Sequence, residues 1–462
     1  MDIAVIVLAA GEGTRMKSSR PKVLHSICGR PMLHFVLVTA EALHPKKVVV
    51  VVGHKAEQVK EAVGGADFAL QEEQLGTGHA VLAARDSLAG FVGTIVILSG
   101  DTPLITAETL CSLLDKHHAS GASASILSAR LRDPHGYGRI VRAEDGSVAA
   151  IVEEKDATDE ERLIDETNSG IYCFDSEKLY AALGQVGADN EQREYYLTDV
   201  IKILREQGEK VTASIAADAD EIAGVNSRVQ LAFADNVMRH RVNEGYMLRG
   251  VTIIESALTF ITPGARIGAD TVIYPMTFID AETTIGEGCV VGPSSRLRGA
   301  KVGDNTTIDN SIVLQSIIED DATIGPFAHI RPGTHVKTGA KVGGFVEIKN
   351  SELGIDSKVP HLSYIGDAQI GDYVNIGAGT ITCNYDGFEK YRTVVEDGAF
   401  IGSDTMLVAP VKIGKGSFTG AGSVISKDVP EDSLAIERSE QRTIGNWAKK
   451  RRTKRDIKNS KA

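Results

Sequence analysis

Residues 267–297 read IGADTVIYPMTFIDAETTIGEGCVVGPSSRL, with an aliphatic residue at every sixth position: Ile267, Ile273, Ile279, Ile285, Val291 and Leu297. Six residues advance an α-helix by about 1.67 turns, so no helix stacks these residues on one face. A hexapeptide β-solenoid does. Each hexapeptide forms a short strand and a turn, the aliphatic residue points inward, and the small residue that often follows it lets the chain turn. The period returns at Ile324, Ile330, Val336, Val342 and Ile348, and again at Ile401, Leu407, Ile413, Thr419 and Ile425. Gaps of five residues at Leu297 to Val302, Ile348 to Leu353 and Ile365 to Ile370 mark corners or local irregularities. Between Thr382 and Val395 the stretch CNYDGFEKYR (383–392) breaks the repeat and reads as a loop thrown out of a coil. Loops on rigid scaffolds are where function concentrates.

Residues 1–226 follow another rhythm. Ile3 to Leu8, Val48 to Val52 and Ile95 to Leu98 read as buried strands, and Met32 to Ala42 and Ala56 to Val63 carry helical spacing. Such alternation predicts a parallel sheet with helices on both faces, whose ligands sit at the carboxyl ends of the strands. Residues 227–250 place Leu231, Ala234, Met238 and Val242 at helical spacing and read as a connecting helix. The solenoid is expected over 251–448, and 449–462 as a basic, solvated tail.

Fifty basic against 62 acidic residues give a net charge of −12, which opposes a nucleic-acid partner. No apolar run reaches the ~18 residues of a membrane span, and the first strand lacks the basic flank of a signal peptide, so a cytoplasmic location is expected. The five cysteines, Cys28, Cys111, Cys173, Cys289 and Cys383, are odd in number and never form a CxxC pair. They read as small buried apolar residues in a reducing compartment.

The first strand runs into Leu8-Ala9-Ala10-Gly11-Glu12-Gly13-Thr14-Arg15-Met16, with Lys22 following. Glycines after a strand let backbone N–H groups approach a phosphate, and Arg15 and Lys22 add charge: a polyphosphate cradle. Met16 excludes the dinucleotide fingerprint, and no Gly-Lys-Ser/Thr ending makes it a P-loop. A second strand ends in Ser99-Gly100-Asp101. Asp101 reads as a ligand for Mg²⁺ on substrate phosphates, with a cap of the turn before Thr102 as the alternative.

In the solenoid, Arg331 and Lys349 follow inward residues of one series and stand three hexapeptides apart, so one coil places them above one another. Such a cationic pair suits a sugar phosphate. His361 follows in Pro360-His361-Leu362-Ser363-Tyr364, with Asn375, Asn384, Tyr385 and Lys390 expected to cluster behind it. An amine acceptor needs a base as the acyl bond forms, and His is the side chain that titrates near neutrality.

The run from Leu8 to Met16, Pro21-Lys22, Gln74-Leu75-Gly76-Thr77-Gly78-His79 and Gly100-Asp101 resembles the sugar-nucleotidyltransferases. Gly136 to Ile140, Val152 to Asp156, Thr167 to Gly170 and Gly224 to Asn226 extend the resemblance. With the hexapeptide half attached, nearly the whole chain is similar to the bifunctional N-acetylglucosamine-1-phosphate uridyltransferase/glucosamine-1-phosphate acetyltransferase family. The resemblance implies a Rossmann-like domain with a mixed, mostly parallel sheet, followed by a left-handed parallel β-helix. It implies Leu8, Ala9, Ala10, Gly11, Gln71, Gly76 and Thr77 around uracil and ribose, with Arg15, Lys22, Ser99 and Gly100 completing the nucleotide site. Gly138, Glu153, Asn168 and Asn226 would hold the sugar or its phosphate, and Asp101 with Asn226 would ligate Mg²⁺. In the second half it implies His361 as base, Arg331, Lys349, Tyr364, Asn375 and Lys390 on the sugar phosphate, and Ala378, Asn384, Tyr385, Ser403, Ala421 and Arg438 on acetyl-CoA.

The implied substrates are glucosamine 1-phosphate, N-acetylglucosamine 1-phosphate, UTP and acetyl-CoA, and the implied assembly is a homotrimer. A sugar-1-phosphate nucleotidyltransferase whose β-helix only trimerises or regulates is the competing reading; His361, Asn384 and the intruding loop speak against it.

Overall fold

The computed structural model describes residues 2–459; the end of the predicted basic tail, 460–462, lies outside the described residues. The chain divides into two compact units, 1–245 with 261–263, and 246–260 with 264–462.

The first unit is built on a sheet whose strands lie in the order Val211–Ile215, Ala124–Arg130, Glu166–Asp175, Thr94–Ser99, Ile3–Leu8, Lys47–Val52 and Asp67–Leu70. Neighbours run parallel except Glu166–Asp175, which is antiparallel to both of its partners. Alternate residues of the central strands feed two cores. Val5, Val7, Val50, Val96 and Leu98 join the helix Met32–Glu41 on one face, and Ile6, Val49, Val51, Ile95 and Ile97 join Thr77–Ala83 on the other. Burial on both faces is why these strands read as unbroken Val/Ile runs, and each such side chain contributes about 1.5–3 kcal/mol of hydrophobic stabilisation. A hairpin, Arg139–Arg142 with Val148–Val152, hangs on the antiparallel strand through Thr167 opposite Arg139. The helix expected as a connector spans Arg228–Met247 and packs Leu231, Ala234 and Met238 into the first of these cores.

The second unit is a left-handed parallel β-helix of three stacked sheets. One coil illustrates the path: Lys358–His361 on the first face, Tyr364–Gly366 on the second, Ala368–Ile370 on the third. Coils repeat after 18 residues, as from Thr271 to Cys289, tighten to 17 between Thr283 and Ala300, and to 16 between Ser295 and Ser311. The loop after Cys383 lengthens the spacing to 25, seen between Asp372 and Asp397. The inward residues from Ile273 onward are buried, Thr419 included, and only Ile267 in the first coil is half-buried. Buried hydroxyls bridge the coils: Ser295 Oγ accepts from the Ser311 amide at 3.1 Å, and Ser311 Oγ from the Ala328 amide at 3.1 Å.

One expectation needs correction and one gains detail. The basic tail, exposed over 447–457 as expected, is helical over Trp447–Asn459. Its Lys/Arg-rich run contains no Gly or Pro and favours helix intrinsically. The cysteines are all free, but only Cys173 and Cys289 are buried; Cys28 and Cys383 are half-buried and Cys111 is exposed on its helix.

Candidate active sites

At the carboxyl end of the first sheet, Leu8, Ala9, Ala10, Gly11, Lys22, Gln71, Gly76, Thr77, Ser99 and Asp101 line a cavity of about 310 Å³. Strand pairing brings the two key loops together, since the Gly100 amide donates to Leu8 O at 2.9 Å. A side chain at Gly100 would press its Cβ to 3.0 Å from that carbonyl, so Gly lets the Asp101 loop lie this close without crowding. Gln71 Nε2 donates to Gly76 O at 3.1 Å, and Thr77 Oγ1 accepts from the Leu197 amide at 3.0 Å. Four further residues line the cavity: the apolar Val23 and Ala80, Gln74, whose Nε2 donates to Ala10 O at 2.8 Å, and Glu194. Gln74 stands in the recognised Gln-Leu-Gly-Thr-Gly run; Glu194 carries no motif, and nothing in sequence brings it to the first strand. Arg15 is exposed on a turn of 3₁₀ helix and does not line the cavity.

Lys22 Nζ lies 2.5 Å from Asp101 Oδ2 and 3.0 Å from Asn226 Oδ1. The Asp101 carboxylate thus faces Lys22 rather than lying free in solvent. Asn226 is held there because the Val225 amide donates to Asp101 O at 2.8 Å. One carboxylate and one amide oxygen converging on a single cationic centre form a donor set that a hard divalent ion accepts.

The residues expected on the sugar form a second cluster. The Asn168 amide donates to Gly138 O at 2.8 Å, and Asn168 Nδ2 donates to the Tyr172 hydroxyl at 2.7 Å. Glu153 accepts from Thr198 Oγ1 at 3.2 Å, and burial pushes its carboxyl up. Its neighbour Glu154 is engaged elsewhere, 2.8 Å from Arg139 and 3.3 Å from His135. The Tyr137 phenol, pushed up by burial, meets the Gly224 backbone and the Asp101 charge, and so joins this cluster to the cavity.

In the second unit the register carries Arg331 one coil below Lys349, because Ile330 pairs with Ile348. The stacked cations are not bare: Arg331 Nη1 bonds Glu347 Oε1 at 2.7 Å. Lys390 stands beside Lys349, whose ammonium pushes the Lys390 amine below its ordinary value, with the Tyr364 ring also close. Gly366 gives that ring room, since a Cβ there would lie 2.4 Å from the Tyr364 hydroxyl. Asp367 sits in the middle of this group and carried no signal in the sequence.

The expected single cluster behind His361 divides into two. Arg331, Lys349, Lys390, Asn384 and Tyr385 gather where the second face turns into the third, with Tyr385 bridging back to Lys390. His361 lies where the first face turns into the second, on an exposed strand end opposite Gly344, and its imidazole makes no hydrogen bond among the described residues. Ala378, Ser403 and Ala421 follow strands of the first face to that same corner, where Arg438 Nη1 donates to Ala421 O at 2.8 Å. Asn375 belongs to the first face, between Lys358 and Phe400.

Comparison with known proteins gives the same division. Residues 5–171 match the MobA-like NTP transferase domain. Residues 315–350 and 392–427 match the bacterial transferase hexapeptide, and 282–316 the hexapeptide repeat of succinyl-transferase. The bifunctional protein GlmU of Halalkalibacterium halodurans is 52% identical over 94% of this chain and 96% of its own. That of Heliobacterium modesticaldum is 52% identical over 96% and 97%, and that of Streptomyces avermitilis 50% over 97% and 94%. At half identity over almost its full length, with a nucleotidyltransferase half and a hexapeptide acyltransferase half in one polypeptide, the chain belongs to the bifunctional GlmU family.

Proposed function

We propose that the enzyme makes UDP-N-acetylglucosamine in two steps, acetylating glucosamine 1-phosphate in its second unit and coupling the product to UTP in its first. The observation that carries this reading is the presence of two separate sets of phosphate-directed cations, Lys22 beside Asp101 and Lys349 beside Lys390, one in each unit.

In the first step the 2-amino group of the sugar attacks the thioester carbonyl of acetyl-CoA. The C–N bond forms, the C–S bond breaks, and the coenzyme leaves as a thiolate. His361, exposed and unpaired, takes the proton that the nitrogen sheds. Arg331, Lys349 and Lys390 hold the sugar phosphate, Tyr364 and Asn375 orient the ring, and Ala378, Asn384, Tyr385, Ser403, Ala421 and Arg438 bind the coenzyme. In the second step a phosphate oxygen of N-acetylglucosamine 1-phosphate attacks the α-phosphorus of UTP and expels pyrophosphate. The nucleophile is already anionic, so the site positions and neutralises rather than deprotonates. The loop Leu8 to Gly11 with Gln71, Gly76 and Thr77 holds the nucleoside, Arg15 and Lys22 meet the phosphates, and Gly138, Glu153, Asn168 and Asn226 hold the sugar. Asp101 and Asn226 would ligate Mg²⁺, which when bound offsets phosphate charge.

Division of the acetyltransferase residues between two corners of one coil supports a homotrimer whose sites are completed by neighbouring copies. At the His361 corner, Phe327, Phe345 and Leu362 rise in a column on successive coils, 54%, 64% and 64% exposed. Such a column is an interface surface. No described helix is long and apolar enough to cross a membrane, which fits a cytoplasmic enzyme of soluble substrates. Incubation with glucosamine 1-phosphate, acetyl-CoA, UTP and Mg²⁺ tests the reading: UDP-N-acetylglucosamine and pyrophosphate are expected, and failure to acetylate would overturn the role of the second unit.

A further inference from the structure

Corners between the second and third faces carry, on three successive coils, Asn350, Asp367 and Asn384. The first two hold the left-handed backbone that Asn and Asp tolerate, at φ 46° and 49°. Their side chains form a ladder. Asn350 Nδ2 donates to one oxygen of Asp367 at 2.6 Å, and Asn384 Nδ2 donates to the other at 2.5 Å, each from 17 residues away. The backbone fixes the middle rung independently: the Asp367 amide donates to Lys349 O at 3.0 Å, and Asp367 O accepts from the Thr393 amide at 3.3 Å.

We infer that Asp367 is the positioning residue of the acetyltransferase site, tying the orientation of Asn384 to the pair of lysines that receives the sugar phosphate. This rests on the reading that the second unit acetylates glucosamine 1-phosphate. Both Asn384 and Asn350 spend their NH₂ groups on Asp367, so the carboxamide oxygen of Asn384 is turned away from it, toward whatever that residue binds. The carboxylate also supplies the counter-charge that lets Lys349 and Lys390 stand side by side. Burial pushes the Asp367 carboxyl up, but the two Asn hydrogen bonds and the two lysine charges outweigh it and hold it below the usual range. The ionisable groups facing Lys390 are Lys349, Asp367 and Tyr364, with Tyr385 across the backbone bridge. Asp367 is the one carboxylate among them.

Asp367→Asn separates positioning from general support. An amide offers one acceptor oxygen and an NH₂ group, so it can serve only one of the two Asn donors and must turn the other away. The variant also adds one net positive charge beside the phosphate site. In the full-length enzyme we expect kcat for acetyl transfer to fall about 10- to 100-fold, the scale seen when a partner that orients a ligating side chain is lost. KM for acetyl-CoA should rise, whereas KM for glucosamine 1-phosphate at neutral pH should stay or fall. The alkaline rise of that KM should begin at lower pH, because Lys390 has lost its counter-charge. Melting temperature and uridylyl transfer, measured on the same sample, should hold. An acetyl-transfer rate, acetyl-CoA KM and alkaline limb all equal to the parent's would overturn the inference. So would a rate that falls only in proportion to folded protein, or a neutral-pH KM for the sugar phosphate that rises with everything else unchanged. A parent enzyme that fails to acetylate the sugar would instead sink the underlying reading.

Discussion

Around Asp101 the first unit gathers residues from widely separated strand ends: Leu8 from one, Ser99 from its neighbour, Asn226 from beyond the last strand, and Lys22 from the loop of the first. Around Lys349 the second unit gathers residues at a regular interval, Asn350, Asp367 and Asn384, each one coil from the next. A parallel sheet makes its site by convergence of long connections, whereas a solenoid makes it by repetition and then one interruption, the loop after Cys383. The contrast teaches that perturbations should spread differently: through the two cores that flank the sheet in the first unit, and between adjacent coils only in the second.

The sharpest way to break that comparison is at His361. His361→Ala should lower acetyl transfer by ~10²–10⁴-fold, as loss of a general base does, and leave uridylyl transfer intact. The side chain is exposed and unbonded, so melting temperature should not move. A near-normal acetylation rate in a stable variant would remove His361 from the chemistry. Next in size, Asp101→Asn should cut uridylyl transfer by about 10²-fold or more through loss of a preorganised charge, with acetylation preserved. Parallel loss of both activities would mean that the units are not independent.

Smaller effects sharpen the contrast in stability. A Cβ at Gly343 would lie 1.9 Å from Pro360 O on the next coil, so Gly343→Ala should cost the β-helix about 1–3 kcal/mol by overpacking. Hydrogen exchange should rise only in the flanking coils, and faster exchange throughout the unit would refute one-dimensional coupling. Gly146 of the first unit has open space around its Cβ position and φ of 80°, so Gly146→Ala should cost about 1–2 kcal/mol from backbone strain alone.

The last prediction concerns acid. Burial pushes the Glu166 carboxyl up, but hydrogen bonds from Arg142 and Ser128 outweigh it and hold it below its ordinary value. A depressed carboxyl stabilises the fold above its unfolded pKa and loses that contribution as pH falls through the folded value. Glu166→Gln should therefore cost on the order of 2 kcal/mol at neutral pH, the scale of a charged hydrogen bond, and almost nothing once the carboxyl is protonated. Denaturant titrations at pH 7 and in acid check it; an equal deficit at both would exclude the ion pair.

Much of the fold was legible because each unit has a strong period. The hexapeptide series places its aliphatic residues inward whatever else the chain does, and the Val/Ile runs from Ile3, Val48 and Thr94 can be buried on both faces only inside a sheet covered twice. Local motifs also marked the cavity at the carboxyl end of the first sheet, since a glycine turn after a strand is a contiguous feature. What stayed illegible was contact between residues whose types are ordinary. Glu194 is carried to the cavity by its neighbour Tyr195, whose carbonyl accepts from the Gly78 amide and whose amide donates to Leu75 O, both at 2.8 Å, and no spacing announces that.

The sequence by itself determined two units, two chemistries and the stacking of Arg331 on Lys349, because a period and a register are properties of the chain alone. Only the tertiary structure decided which side chains meet. Arg331 turned out to be paired with Glu347, the solenoid residues expected around His361 separated to two corners of the coil, and Asp367 came to stand near Lys349 and Lys390. The reason is physical: a periodic sequence fixes where a side chain leaves the backbone, but its partner is chosen by packing, charge and hydrogen bonding among chains of residues that the period leaves unspecified.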